Sequence, residues 1–278
     1  MFRVYDARGN LATLNDVVAA SDSVAVLFIG EEHDDSLAHV VQSELLTRSY
    51  FHHRTSERPR PVTLSLEMFE RDVQYILDEY LDGLITEQHF QASSRPWPNY
   101  ARDYRPLVEF ARTHGLKVLA SNAPRRYVNL VAREGSSALN RLSENALRTL
   151  PPLPYAEASP EYKAKWDRMM GQAMPSGTGA HGDANDTASS RMLEAQSLWD
   201  ASMAFSIAGH LKAHPDALVI HLAGSFHVTG HTGIPEHLQR FTPRAKALVV
   251  AVERAGPDLR FDAEKHQGLG DFVILTSN

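Results

Sequence analysis

The strongest constraint on this chain is a short apolar run followed by a helical stripe, a pairing that repeats along the sequence. Val24-Ala-Val-Leu-Phe-Ile29 is apolar throughout and stops at Gly30, after which Leu37, Val40, Val41 and Leu45 recur at helical spacing. Pro61-Val-Thr-Leu-Ser-Leu66 is a second run, ending at Glu67. The stripe after it is Val73, Ile76, Leu77, Tyr80 and Leu81, broken near Gly83. Lys117-Val-Leu-Ala120 follows a helix expected over about Pro106 to His114, and Pro124 is placed to begin the next one. Ala217–Leu222, Lys246–Val252 and Phe272–Leu275 read as three further strands. Near-continuous apolar runs mark strands covered on both faces, and strands separated by helix-length stripes need crossover connections. The expected fold class is therefore α/β, with a largely parallel central sheet flanked by helices.

The middle of the chain breaks the pattern. Residues from about Ala138 to Met170 read as helical around a Pro151-Pro152-Leu153-Pro154 break. Met174 to Ser190 is rich in Gly, Ser and Asp and reads as a mobile loop, and a long helix is expected from about Arg191 to His214. The expected organisation is one α/β domain over residues 1–278, with a helical insertion over about 138–215 and the loop over about 174–190.

Several function classes drop out. The chain has no cysteine, which excludes disulfides, zinc–thiolate sites and thiol nucleophiles. A net charge of -6 with no long basic run speaks against a nucleic-acid partner. No apolar run is long enough to span a bilayer, and the opening Met-Phe-Arg-Val-Tyr-Asp has no apolar leader core. No Gly-x-Ser-x-Gly elbow, Walker loop or His-Glu-x-x-His pair occurs, and Gly177 and Gly179 lie in the expected loop, not between a strand and a helix.

One constellation carries chemistry. Gly30-Glu31-Glu32-His33 and Gly224-Ser225-Phe226-His227 both read Gly-x-x-His, and each follows an expected strand. Glu67 and Asn122 sit at the ends of the two strands between them. Ligands of an open parallel sheet bind at that edge, so His33, Glu67, Asn122, His227 and Glu31 are directed to one crevice. The competing reading is that these residues cap helices or bind backbone groups. His221, inside a run, reads as a core or sheet residue, whereas His52, His53, His181, His231 and His237 read as solvated or loop residues.

A second cluster runs from Trp97 to Pro106. Tyr104 and Arg105 lie just before an expected helix N-terminus, whose partial positive charge, with Arg102 and Arg105, favours a phenolate of the kind ferric iron binds. The arginines could pair with ligand carboxylates. Against this, Tyr100 and Tyr104 suit plain packing of a helix start. Further on, Gln196 and Asp200 share a helix face, and Met203 suits either the core or the lining of a flat apolar pocket.

Taken together and in order, these segments resemble the ChaN-like haem-binding family, grouped with the Tiki and erythromycin-esterase-like proteins. The matching segments are Gly30–His33, Gln42, Ser65-Leu-Glu-Met-Phe69 with Gln74, Trp97 through Tyr104-Arg-Pro-Leu107, Asn122-Ala-Pro124, Gln196 through Ala204, and Leu222–His227. They run from about residue 22 to 255. The resemblance implies haem held through a tyrosine at a homodimer interface, Tyr104 first and Tyr100 second, in haem or iron uptake or trafficking. It implies a cell-envelope setting, although no signal peptide or lipobox cysteine stands in this sequence, which leaves a cytoplasmic setting open. The superfamily relatives imply an alternative, a hydrolase using His33, Glu67 and His227, with a divalent metal held by the two histidines or with His33 as general base.

Overall fold

The computed structural model describes residues 1–173 and 183–277. One eight-stranded sheet organises the chain: β1 (Phe2–Asp6), β2 (Leu11–Ala12), β3 (Val26–Glu31), β4 (Val62–Glu70), β5 (Lys117–Asn122), β6 (Leu218–Gly224), β7 (Ala247–Ala255) and β8 (Phe272–Ser277). Its spatial order is β2-β1-β8-β7-β3-β6-β4-β5. From β8 to β5 all neighbours are parallel, while β1 is antiparallel to both β2 and β8, with Phe2 opposite Thr276. The six expected strands are the six parallel ones. The β1–β2 hairpin was not anticipated, because Phe2-Arg-Val-Tyr-Asp6 mixes charge with apolar residues and packs only Val4 and Tyr5 inward.

Helices cover both faces. α1 (Leu14–Ala20), α2 (Ser36–Thr55), α3 (Gln74–Leu81), α4 (Glu87–Ser94), α5 (Tyr100–Asp103) and α6 (Arg105–His114) precede or follow β3 and β4 in the chain. α7 (Arg125–Glu134) follows β5. α8 (Glu144–Leu147), α9 (Pro160–Ala173) and the 31-residue α10 (Asp183–Ala213) lie between it and β6, and α11 (Ile234–Phe241) and α12 (Ala263–His266) come after β6 and β7. The two-residue period of a strand splits the core in two. Leu27 and Ile29 of β3 pack with α1, α2, α3 and α6 on one face, and Val26 and Phe28 pack with α10 and α11 on the other. All four are fully buried, each worth about 1.5–3 kcal/mol of apolar burial.

Local chemistry sets the helix ends. Asp35 caps α2 through the Leu37 amide at 2.9 Å, and α6 carries Pro106 in its first turn and ends on Gly115 at φ 67°. Two expectations need correction. Residues 183–190, read as loop, form the first turns of α10. The small side chains of residues 187–190 suit a largely solvent-facing helix as well as a turn, and 174–182 of that expected loop lie outside the described residues. The stretch from Ala138 to Met170 is broken at the prolines as expected, but the break is wider than they are, with no helix between α8 and α9 over 148–159. Among the described residues, no helix is long and apolar enough to cross a membrane.

Candidate functional site

The strand order builds the site. β6 inserts between β3 and β4, so the neighbouring strands β3, β6, β4 and β5 deliver their C-terminal ends side by side. Glu31 lies opposite Gly224 across the β3–β6 ladder, Leu66 opposite Leu222, and Glu70 opposite Asn122. The two Gly-x-x-His turns interlock. A Cβ on Gly224 would stand 3.0 Å from His33 Nε2, and one on Gly30 would stand 2.8 Å from Val228 Cγ2 and 3.0 Å from Ser225 Cα. Each glycine is the space that lets the other turn come close.

Glu31 is the hub of the first turn. It is 2% exposed, and His33 Nδ1 lies 2.8 Å from its Oε1. Tyr104 donates its hydroxyl to the same oxygen at 2.5 Å, Gln42 donates its amide to Oε2, and His39 Nδ1 is 3.2 Å from Oε2. Burial opposes a charge on Glu31. The hydrogen bonds from His33, His39 and Tyr104 and the charge of His39 outweigh it and hold the carboxyl at about 2. His39 is the reciprocal case: burial disfavours its cation, but Glu31 and Gln42 raise it to about 9. His33 is likewise lifted, against the effect of burial, by its bond to Glu31 and by the charges of Glu67 and Glu31.

The second turn has its own carboxylates. His227 Nδ1 is 2.6 Å from Asp200 Oδ1 on α10, and its Nε2 is 3.8 Å from Glu67 Oε1. The other Glu67 oxygen accepts the Gly224 amide at 2.8 Å. His227 is buried, which lowers its affinity for a proton, yet Asp200 and Glu67 raise it to about 9. At neutral pH this imidazole is a cation able to donate a proton.

These groups floor a cavity of about 530 Å³, within the range of roughly 300–1,000 Å³ usual for small-molecule sites. Its walls are largely apolar, with Trp97, Val128, Ala132, Ala195 and Trp199 around His33, Glu67, Asn122 and His227. Trp97 stands edge-on to His33 at 4.7 Å between ring centres. Arg125 also lines it, from the first residue of α7, whose N-terminus has no side-chain cap. Gln196 Oε1 is buried at the wall with no hydrogen-bond partner. A largely apolar slot with an arginine and an uncapped helix N-terminus fits a flat ligand that carries carboxylates at its edge.

Residues 17–238 match the family described as "Haem-binding uptake, Tiki superfamily, ChaN". The chain belongs to this family. Among solved structures it is similar over its whole length to ChaN of Campylobacter jejuni, described with cofacial haem. That likeness has a TM-score of 0.72 and 19% identity, covers 98% of this chain and 96% of that one, and is a likeness of fold. A mutant of the erythromycin esterase EreC in its open conformation aligns at TM-score 0.49 and 13% identity, over 92% of this chain and 78% of that one. A match at that level carries no argument about activity. Among curated proteins, Protein RETICULATA-RELATED 5, chloroplastic, of Arabidopsis thaliana is 31% identical over 99 residues, which is 35% of this chain and 13% of that protein's length.

Measured against this ChaN-family fold, His33, Glu67, Asn122 and His227 meet at the cavity and Glu31 lies directly behind His33. Tyr104 does not present a phenolate. It is fully buried, and burial together with the charge and hydrogen bond of Glu31 pushes its phenol well above the usual range, outweighing the start of α6. Tyr100 is also buried, away from the cavity lining, and burial raises its phenol too. Arg102 pairs with Asp103 and Arg105 with Glu87, on the outside of α5 and α6. Met203 lies in the core with Val26 and Phe28, because it sits two helical turns further along α10 than Gln196, over the sheet and not at the cavity wall. His33, Glu67 and His227 do not gather their donor atoms as a divalent-metal site would; among the described residues that arrangement occurs elsewhere, at Asp22, His52 and His53.

His221 is core, as expected, with Nδ1 2.9 Å from Ser65 Oγ. His53 and His237 are buried, contrary to expectation, and His181 lies outside the described residues. Sequence reasoning missed Arg125, Trp199, His39 and the pairing of Asp200 with His227. The shared face of Gln196 and Asp200 was the available signal for the last of these.

Proposed function

We propose that this chain binds haem in the cavity above β3, β6, β4 and β5, and serves haem uptake or trafficking. The observation that carries the reading is the cavity's makeup. Trp97, Trp199, Val128, Ala132 and Ala195 offer flat apolar surface to a macrocycle, and Arg125 at the uncapped start of α7 offers paired donors for a propionate. Bound haem would bring a coordinating iron, and the protein's part is to supply one donor and exclude water.

Of the candidate donors, His33 is favoured. It lines the cavity, its side chain is 44% exposed, and Glu31 occupies its Nδ1 and leaves Nε2 for a ligand. Tyr104, the donor implied by the family resemblance, would first have to leave Glu31. The family resemblance implies a homodimer around the haem, so haem binding is expected to favour dimer formation. The test is a haemin titration of metal-stripped protein, followed by Soret absorbance with size exclusion alongside. Saturable binding is expected, with His33→Ala changing the ligand-field bands and Arg125→Ala weakening affinity about tenfold, the worth of one charge-assisted bond of roughly 1.5 kcal/mol. Bands lost in Tyr104→Phe and kept in His33→Ala would restore the tyrosine as ligand. The absence of any saturable Soret shift would sink the haem reading.

A second reading rests on the two imidazole–carboxylate pairs. Glu31–His33 and Asp200–His227 face one cavity with Glu67 between them. Such an arrangement suits a metal-free hydrolase in which His33 takes a proton from water and cationic His227 donates one or steadies negative charge. It predicts turnover of an ester or amide that is lost in both His33→Ala and His227→Ala.

A further inference from the structure

At the opposite end of β3 from the cavity lies a second cluster. The turn Ser21–Ser23, between α1 and β3, carries Asp22, and the last turn of α2 carries His52 and His53. His52 Nε2 is 2.8 Å from Asp22 Oδ1, and His53 Nδ1 is 3.6 Å from the same oxygen. All three donor atoms lie within 4.8 Å of one another. Four-coordinate zinc, with bonds of about 2.0–2.2 Å, sets its ligand atoms roughly 3.4 Å apart, so small side-chain rotations would close the arrangement. A six-residue strand at about 3.3 Å per residue separates this cluster from the haem cavity by roughly 20 Å.

The proton positions carry the argument. Ser21 donates its hydroxyl to the Val18 carbonyl at 2.6 Å, so its oxygen is left to accept from His53 Nε2–H at 2.9 Å. The remaining ring nitrogen, Nδ1, then presents a bare lone pair to the Asp22 carboxylate. Two acceptors facing each other over 3.6 Å with no proton between them repel, unless a cation lies there. The Arg60 guanidinium is spent on the carbonyls of Ser21, Asp22, Val24, Asp216 and Ala217. A ligating histidine whose other ring nitrogen is fixed by a hydrogen bond is the usual supporting arrangement of a metal site.

We propose that Asp22, His52 and His53 form a binding site for a zinc-type divalent cation, with its fourth position open to solvent. The cation would tie the end of α2 to the turn that launches β3.

The test uses the whole chain, stripped with chelator and titrated with Co²⁺, read by visible ligand-field absorption, and then with Zn²⁺ in competition with a chromophoric chelator. One equivalent bound in the micromolar range is expected, with the intense visible bands of a low-coordinate cobalt site. Asp22→Asn and His52→Ala, both exposed positions that leave the core intact, should weaken it tenfold or more. Ser21→Ala, which frees the His53 ring, should weaken it by roughly 10- to 100-fold. Zinc should raise the melting temperature of the unsubstituted protein and leave that of Asp22→Asn unmoved. No binding at millimolar Zn²⁺, or equal binding by the unsubstituted protein, Asp22→Asn and His52→Ala, overturns the proposal.

Discussion

Replacing Glu31 with Gln tests whether the site rests on a buried ion pair. Glu31 raises His39 to about 9 against an ordinary 6.5, and His39, with His33 and Tyr104, holds Glu31 at about 2 against an ordinary 4.5. A raised imidazole stabilises fully below its unfolded value and loses that contribution as pH rises from 6.5 to 9. A depressed carboxyl stabilises above 4.5 and loses its contribution as pH falls towards 2. The contribution of this pair should therefore plateau between about pH 4.5 and 6.5. Above the plateau, His39 and His227, each raised to about 9, shed up to about 1.4 kcal/mol per pH unit each, a combined slope approaching roughly 2.7. Glu31→Gln leaves His39 without its counter-charge and turns an amide towards donors. The plateau should fall by about 3–5 kcal/mol, the cost of breaking a buried pair, and the alkaline slope should drop by about half. Urea unfolding by circular dichroism at pH 5.5, 7.0 and 8.5 measures both quantities, and His39→Gln should halve the same slope from the other side. A Glu31→Gln protein within 1 kcal/mol of the unsubstituted one on the plateau, with the slope unchanged, would refute the pairing.

Two further expectations follow from the geometry. Gly224→Ala places a methyl 3.0 Å from His33 Nε2 and should displace that ring. Haemin affinity should fall severalfold while stability drops by about 1–3 kcal/mol, and haemin affinity equal to that of the unsubstituted protein would contradict the interlocked turns. Asp200→Asn removes the nearer anion from His227, so the imidazole pKa followed by NMR should fall from about 9 towards its ordinary value. A value that stays put would assign the shift to Glu67 alone.

The parallel strands were legible because burial on both faces removes alternation, leaving runs such as Val24–Ile29 that no other element explains as well. The convergence at the sheet edge followed from two Gly-x-x-His turns at strand ends. What stayed hidden is what depends on direction in space. Tyr104 is near a helix start in sequence, but its phenol reaches a carboxylate 73 positions earlier in the chain, and that partner reverses the expected ionisation. Met203 shares a face of α10 with Gln196 but lies two turns, roughly 10 Å, further along the helix, in the second core and not at the cavity. Arg125 was passed over beside Pro124, because a single arginine after a strand has no distinguishing pattern until the facing α10 closes the wall.

The place of β6 in the sheet also governs how the molecule comes to exist. β3 and β4 are made early, but the strand that joins them is made only after α9 and the long α10. Until then, two apolar strands on the growing polypeptide carry open edges, which are templates for pairing with other chains. Nucleation has to wait for contacts between distant parts of the sequence, which makes for slow folding. A polypeptide truncated before Leu218 lacks the second Gly-x-x-His turn and the ladder beneath the first, so ligand capacity should emerge in a single step late in synthesis.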